Sequence, residues 1–106
     1  MSNSLNLENE IFLIISHGGN AKSLAYEALD AAENNDFSKA DELLKQADEE
    51  LGKAHQTQTK LIQAELNGSP IEKSLLLIHA QDHLMTAISE KNLIERLIRI
   101  LKKQQP

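Results

Sequence analysis

The chain has no cysteine and no tryptophan, and its only aromatic side chains are Phe12, Tyr26 and Phe37. The missing thiols exclude disulfide bonds and thiolate metal sites, and they fit a reducing compartment. With so few aromatic residues, any core must be built from Leu, Ile and Ala. This composition suits packed helices better than a sheet.

Long apolar runs and a positive charge balance are also absent. The longest apolar runs, Ile11 to Ile15 and Leu75 to Ile78, are far too short to span a membrane, and the start Met1-Ser2-Asn3-Ser4 is not typical of a signal segment. The net charge of −5 argues against a nucleic-acid partner. We therefore expect a soluble cytoplasmic protein without direct membrane insertion.

The length of 106 residues predicts a single domain over residues 1–106. Apolar residues at helical spacing predict three helices, over about residues 6–34, 38–66 and 70–103. Because the loops between them are short, we predict an all-α, up-down-up antiparallel three-helix bundle. Its ends, Met1 to Leu5 and Gln104 to Pro106, are expected to fray.

Local signals set the predicted boundaries. Gly18-Gly19 predicts a kink or short break near residues 16–20, because each glycine costs about 1 kcal/mol inside a helix. Ser38 with Asp41 resembles a cap for the second helix. The segment Ser69-Pro70-Ile71-Glu72 places a capping serine, a first-turn proline and a glutamate in the order typical of a helix start.

The third helix is apolar on two faces. One row contains Ile71, Leu75, Ile78 and Met85, and the opposite side contains Leu77, Leu84 and Ile88. An ordinary surface helix needs one apolar face. The second face therefore predicts contact with another subunit.

His79 and His83 lie one turn apart on this helix, and Asp82 and His83 fall within about 60° of His79 around its axis. The simplest interpretation is a partly buried structural histidine. A neutral imidazole with one nitrogen held by a neighbour such as Gln81 can instead act as a nucleophile and carry a phosphoryl group. A third interpretation is a metal held by His79, His83 and a ligand from elsewhere, for example His55.

The remaining polar residues carry weaker signals. Asp82 falls in the row of Ile78 and Met85; if that row lines a symmetry axis, the crowded carboxylates hold protons or recruit a cation. The alternative is a solvated Asp82 at a groove. His17 is interpreted as a turn residue, His55 as solvent-facing, and the acidic run at residues 48–50 as a solvated helix face.

Ile78 through Thr86, Ile-His-Ala-Gln-Asp-His-Leu-Met-Thr, resembles the most distinctive block of the enzyme IIA component of the lactose/cellobiose (chitobiose) class of the sugar phosphotransferase system. Further matching stretches are residues 19–23, residues 35–40, and Ala54-His55 with Gln58-Thr59. Together they run in the family's order from about Ile11 to Leu101.

The resemblance implies a homotrimer whose parallel third helices lie near a threefold axis. It implies that His79 accepts phosphate from phospho-HPr and passes it to a cysteine of the cognate enzyme IIB, which works with the membrane enzyme IIC. It further implies that Asp82 binds a shared Mg²⁺ at the trimer axis and that Gln81 and His83 border the phosphorylation site between subunits. The sugar contacts belong to the membrane component, so cellobiose, lactose and chitobiose stay open.

Two other functions are compatible with parts of the sequence. The stretch from Ala28 to Leu44 resembles the helical hairpin of tetratricopeptide-like modules, which bind peptides without chemistry, although no 34-residue repeat is present. A histidine phosphotransfer domain is the third candidate. Its His-x-x-Lys-Gly motif is not matched, because Asp82 and His83 occupy the last two positions.

Overall fold

The computed structural model describes residues 6–106, and it is a bundle of three long helices. Helix α1 spans Leu7–Glu33, α2 spans Phe37–Leu66 and α3 spans Leu75–Lys103. The bundle measures 61 × 22 × 18 Å. No strand occurs among residues 6–106, so the predicted all-α class is confirmed. The fraying predicted for Met1 to Leu5 lies outside the described residues.

The contacts between helices fix the up-down-up order. Lys60 pairs with Glu10, and Asn20 bonds to Glu50, so residue numbers rise along α1 as they fall along α2. These two helices are therefore antiparallel. Gly18 meets His83, and further along both helices Tyr26 bonds to Glu90, so residue numbers rise together and α1 and α3 run in the same direction.

Alanines let the helices approach closely. Helix α1 packs along both neighbours, whereas α2 and α3 meet over a much shorter stretch. The buried α1 residues include Ala21, Ala25, Ala28 and Ala32, which have almost no exposed surface. Larger side chains fill the two ends of the core, with Ile11, Ile14 and Leu84 at one end and Ile98 at the other.

Helix α1 is continuous through Gly18 and Gly19, so the predicted interruption near residues 16–20 is wrong. Gly18 is buried against α3, and contact with the neighbouring helix offsets the low helix propensity of the glycine pair. The same finding corrects the interpretation of His17, which lies within α1 and not in a turn.

Both connections are built on a residue with positive φ. Asn35 at φ 65° follows α1, and Gly68 at φ 93° follows α2. In each case the amide of this residue and the amide that follows it donate to carbonyls in the last turn of the helix. Asn35 bonds to Ala32 and Asp36 to Ala31, and likewise Gly68 bonds to Glu65 and Ser69 to Ala64. This pattern is the Schellman motif, which ends a helix by satisfying its free carbonyls.

The start sites of α2 and α3 differ from the prediction. Asp36, not Ser38, caps α2 by accepting from the backbone amide of Lys39. Ser74, not Ser69, caps α3 by accepting from the amide of Leu77 at 3.1 Å. Residues 69–74 are non-helical, and this path lets Ile71 pack on the end of the core. The prediction of a helix from Pro70 is therefore wrong by about one turn.

None of the helices in residues 6–106 combines the length and apolarity that crossing a bilayer requires.

Candidate functional site

The two apolar faces predicted for α3 are confirmed, except that Ile71 precedes the helix and packs on the core. Leu77 and Leu84 are buried in the bundle, whereas the opposite face is exposed. This exposed face, here called the α3 stripe, recurs every three or four residues and consists of Leu75, Ile78, Asp82, Met85, Ser89, Leu93, Leu97 and Ile100. Leu75 is 83% exposed and Leu93 is 61% exposed. An exposed stripe of this length that is apolar except at Asp82 and Ser89 is unusual on the surface of a monomer.

His79 lies on the flank of the α3 stripe that faces α1, and its side chain is exposed. Its ring stacks on that of His83, with the centroids 6.2 Å apart and the planes 18° from parallel. Leu75 and Leu76 line the same surface hollow as His79. Stacking therefore restrains the imidazole of His79, while its exposure leaves the ring accessible to another molecule, as a nucleophile requires.

The double glycine of α1 lies directly under His83. A Cβ atom on Gly18 would lie 3.4 Å from His83 Cδ2, and one on Gly19 would lie 3.4 Å from His83 Nε2. Larger side chains at these positions would overlap the ring. The glycine pair therefore leaves room for His83 against α1, a role that the sequence did not reveal.

A second cross-link between α1 and α3 lies one to two turns further along. Tyr26 donates from its hydroxyl to Glu90 at 2.6 Å, and Lys22 Nζ lies 3.1 Å from the other carboxylate oxygen. The hydrogen bond from Tyr26, followed by that from Lys22, lowers the pKa of Glu90. Glu90 is therefore ionised at neutral pH and fixes the spacing of the two helices beside His83.

Gln81 lies on the opposite flank of the α3 stripe, which faces α2. Its Oε1 atom accepts a hydrogen bond of 2.6 Å from Nε2 of Gln58 on α2. Both side chains are half-buried. Sequence reasoning missed this role of Gln58, although Gln58-Thr59 is among the stretches that carry the family resemblance.

Asp82 is exposed and lies in the middle of the α3 stripe, between Ile78 and Met85. Relative to Asp82, His79 lies about 60° to one side and Gln81 about 100° to the other. One protomer therefore presents a carboxylate on the apolar stripe, with an imidazole on one flank and an amide on the other.

His17 and Glu50 form a separate polar contact between α1 and α2. His17 Nδ1 lies 2.9 Å from Glu50 Oε1, which also accepts from Asn20 at 3.0 Å, and Lys53 lies 3.2 Å from Oε2. The hydrogen bonds from His17 and Asn20 lower the pKa of Glu50 to about 2. The interpretation of residues 48–50 as a solvated face is therefore wrong for Glu50, whose side chain is only 16% exposed.

This contact predicts a pH dependence of stability. Because the folded-state pKa of Glu50 lies below its ordinary value of 4.5, ionised Glu50 stabilises the fold above pH 4.5, and this stability is lost as the pH falls towards 2. Urea unfolding across this window should show a steeper loss for the wild type than for Glu50→Gln. The exposed neighbour provides the control: Glu49→Gln should follow the wild type, and equal slopes for all three proteins would contradict the contact.

His55 is exposed on α2. Among residues 6–106, no three His, Cys, Asp or Glu side chains lie close enough to share a metal ion. The interpretation of His55 as a third ligand beside His79 and His83 is therefore wrong within one protomer.

Comparison with known proteins gives a consistent result. Residues 9–102 match the profile of the family described as PTS system, Lactose/Cellobiose specific IIA subunit. The chain is 47% identical to the lichenan-specific phosphotransferase enzyme IIA component of Bacillus subtilis (strain 168), over 92% of this chain and 88% of that protein.

Solved structures agree with these sequence matches. The crystal structure of the PTS cellobiose-specific enzyme IIA from Bacillus anthracis superposes with a TM-score of 0.90 at 45% identity, over 94% of this chain and 92% of that one. A chain in the solution structures of the IIA(chitobiose)–HPr complex of Escherichia coli superposes with a TM-score of 0.82 at 39% identity, over 94% and 97%.

Proposed function

Because this chain belongs to the lactose/cellobiose-specific IIA family of the sugar phosphotransferase system, we propose that His79 is the residue that carries its phosphoryl group. A IIA component of this branch takes phosphate from HPr and works with enzymes IIB and IIC. The tetratricopeptide-like alternative is not favoured, since the family match covers residues 9–102.

The exposed, stacked ring of His79 is the observation that carries this proposal. The other histidines are less suitable acceptors. His17 is bonded to Glu50, and His83 is half-buried over the glycine pair. His55 is exposed, but it lies on α2 and outside the Ile78–Thr86 block that carries the family resemblance.

The chemistry is a reversible exchange of P–N and P–S bonds. The P–N bond of phospho-HPr breaks as a ring nitrogen of His79 bonds to phosphorus, and the HPr imidazole leaves with its electron pair. The cysteine thiolate of enzyme IIB then displaces His79, and the group continues to the sugar that enzyme IIC transports. A carrier of this kind needs only modest stabilisation of its phosphohistidine, and neutral donors such as Gln81 supply less than a cluster of arginines would.

Transfer of phosphate from phospho-HPr to the protein, and from the protein to IIB, tests this function. We expect the protein, incubated with phospho-HPr, to take up one acid-labile phosphate per chain and to release it to a IIB component. We place this exchange in the cytoplasm, where HPr and IIB meet it. Failure of the wild type to take up phosphate from phospho-HPr would contradict the proposal.

We propose a homotrimer with parallel third helices, as the family resemblance implies. The α3 stripe supports association through α3. Its residues recur at spacings of three and four, the pattern by which helices pack in coiled coils. In a threefold arrangement the stripe faces the axis, so one flank of each helix meets the opposite flank of the next. His79 of one subunit then faces Gln81 of its neighbour, and the phosphorylation site lies in the groove between subunits.

Threefold packing would bring three copies of Asp82 together. Crowded carboxylates repel unless they are protonated or share a cation, and Mg²⁺ prefers oxygen ligands of this kind. One protomer offers no set of three metal-ligating groups among residues 6–106, so the fit depends on the three Asp82 side chains together. When bound, the ion would neutralise these carboxylates; the exchange of phosphate at His79 does not pass through it.

Asp82→Leu tests the shared site. We expect this variant to remain trimeric with equal or greater thermal stability, because a charge at an apolar interface is often a net cost. It should also lose the Mg²⁺-dependent increase in melting temperature expected of the wild type. The exposed Asp30 on α1 provides the control, and Asp30→Leu should keep the Mg²⁺ response. A response that survives in Asp82→Leu would contradict the shared site.

A further inference from the structure

The hydrogen bond between Gln58 and Gln81 is the only cross-helix side-chain bond among residues 6–106 in which neither partner can ionise. It joins α2 to α3 at 2.6 Å, and both side chains are half-buried. The two helices meet over a shorter stretch than either of them shares with α1. A short, partly shielded hydrogen bond of this kind restricts the rotation of both amides.

The direction of this bond determines which atoms Gln81 offers to a ligand. Its Oε1 accepts from Gln58, and no described residue accepts from its Nε2. A side-chain amide has an acceptor end and a donor end, which a rotation of 180° exchanges. As long as Gln58 donates, the N–H groups of Gln81 are the ones left available.

We infer that Gln58 is a positioning residue that holds Gln81 with its N–H donors directed towards the phosphoryl group on His79 of the neighbouring subunit. This inference rests on the proposed function and on the groove between subunits. Phosphoryl oxygens only accept hydrogen bonds at neutral pH, so they are attracted by the Nε2 end of the amide and repelled by Oε1. Without Gln58, Gln81 is free to present either end.

Two substitutions of Gln58 distinguish a Gln81 that presents its N–H donors from one that presents its oxygen. Gln58→Glu is nearly isosteric and only accepts, so it should bond to Nε2 of Gln81 and turn Oε1 towards the phosphoryl group. Gln58→Lys only donates, so it should keep the native orientation of Gln81. Gln63 is exposed on the same helix, and Gln63→Glu and Gln63→Lys are the matched controls for the change in charge.

The measurement is the rate of phosphate transfer from phospho-HPr, with kcat and KM determined separately. Relative to Gln63→Glu, we expect Gln58→Glu to lower kcat about tenfold or more, as loss of an oriented donor does at other reaction centres. Its KM for phospho-HPr should not change, because the docking surface is intact. Gln58→Lys should stay within about threefold of Gln63→Lys.

The outcomes are distinct. Equal kcat values for Gln58→Glu and Gln63→Glu, in a wild type that carries phosphate on His79, would overturn the role of Gln58 alone. Equal losses in Gln58→Glu and Gln58→Lys would also overturn it, since they would indicate general damage and not a reversed amide. Melting temperatures of all four variants identify such damage directly. A wild type that takes up no phosphate would overturn the proposed function, and with it this inference.

Discussion

His79→Ala is expected to abolish the uptake of phosphate from phospho-HPr and to leave the three-helix bundle intact. The reaction needs a ring nitrogen to bond to phosphorus, and alanine supplies no nucleophile. The loss should exceed about a thousandfold, because His83, the nearest imidazole, is half-buried and its ring lies against Gly18 and Gly19. Acid-labile labelling and intact mass measure this loss.

The fold should tolerate this substitution well. His79 is exposed and contributes nothing to the core, so the melting temperature should change by no more than a few degrees. His55→Ala is the matched control, since His55 is also an exposed histidine on a helix. It should be labelled like the wild type. Normal labelling of His79→Ala would exclude His79 as the acceptor.

Leu93→Glu is expected to convert the trimer into monomers. Leu93 is 61% exposed in the protomer, so the single bundle loses little from the change. In the trimer, each of the three copies would lose the burial of a leucine, worth about 1.5–3 kcal/mol. The substitution would also place three negative charges at the axis, where like charges repel. These costs act together on one association equilibrium.

Analytical ultracentrifugation measures this effect directly. We expect the wild type to sediment as a trimer and Leu93→Glu as a monomer with an unchanged circular dichroism spectrum. Lys45→Glu, an exposed substitution on α2, controls for the added negative charge and should remain trimeric. A trimeric Leu93→Glu would show that the α3 stripe is not the interface, and a monomeric wild type would contradict the trimer altogether.

The number, order and direction of the helices could be predicted from the sequence because they depend on periodic apolar residues. The same periodicity identified the two faces of α3, with Leu84 in the core and Met85 exposed. The start of α3 could not be predicted, because Ser69 and Ser74 both carry local capping signals. The packing of Ile71 on the core distinguishes them, and it is a tertiary contact.

Contacts between charged residues on different helices also could not be predicted from the sequence. Lys91 of α3 is buried and pairs with Asp48 of α2 at 2.6 Å, although lysine is seldom buried; its second partner, Glu95 at 2.8 Å, lies one turn along α3. The partner of Glu50 could not be predicted either, because His17 lies 33 residues away on another helix. Periodicity identifies which residues share a face of one helix, but not which residue of a neighbouring helix meets them.

In the candidate site too, positions along one helix could be predicted, whereas contacts between helices could not. His79, Asp82 and His83 could be placed together from the geometry of one helix. The glycine pair under His83 and the bond from Gln58 to Gln81 join different helices, so only the folded structure brings them together. Helix propensity alone predicts a break in α1 at the glycines, because it counts their cost and not the room they leave for a neighbouring ring.

The position of the phosphoryl group on the wild-type protein tests the central claim most directly. After incubation with phospho-HPr, nuclear magnetic resonance of the histidine ring nitrogens distinguishes all four imidazoles. The account predicts one phosphohistidine, at His79, with His17, His55 and His83 unmodified. Phosphate on any of those three, or on none of the four, would contradict it.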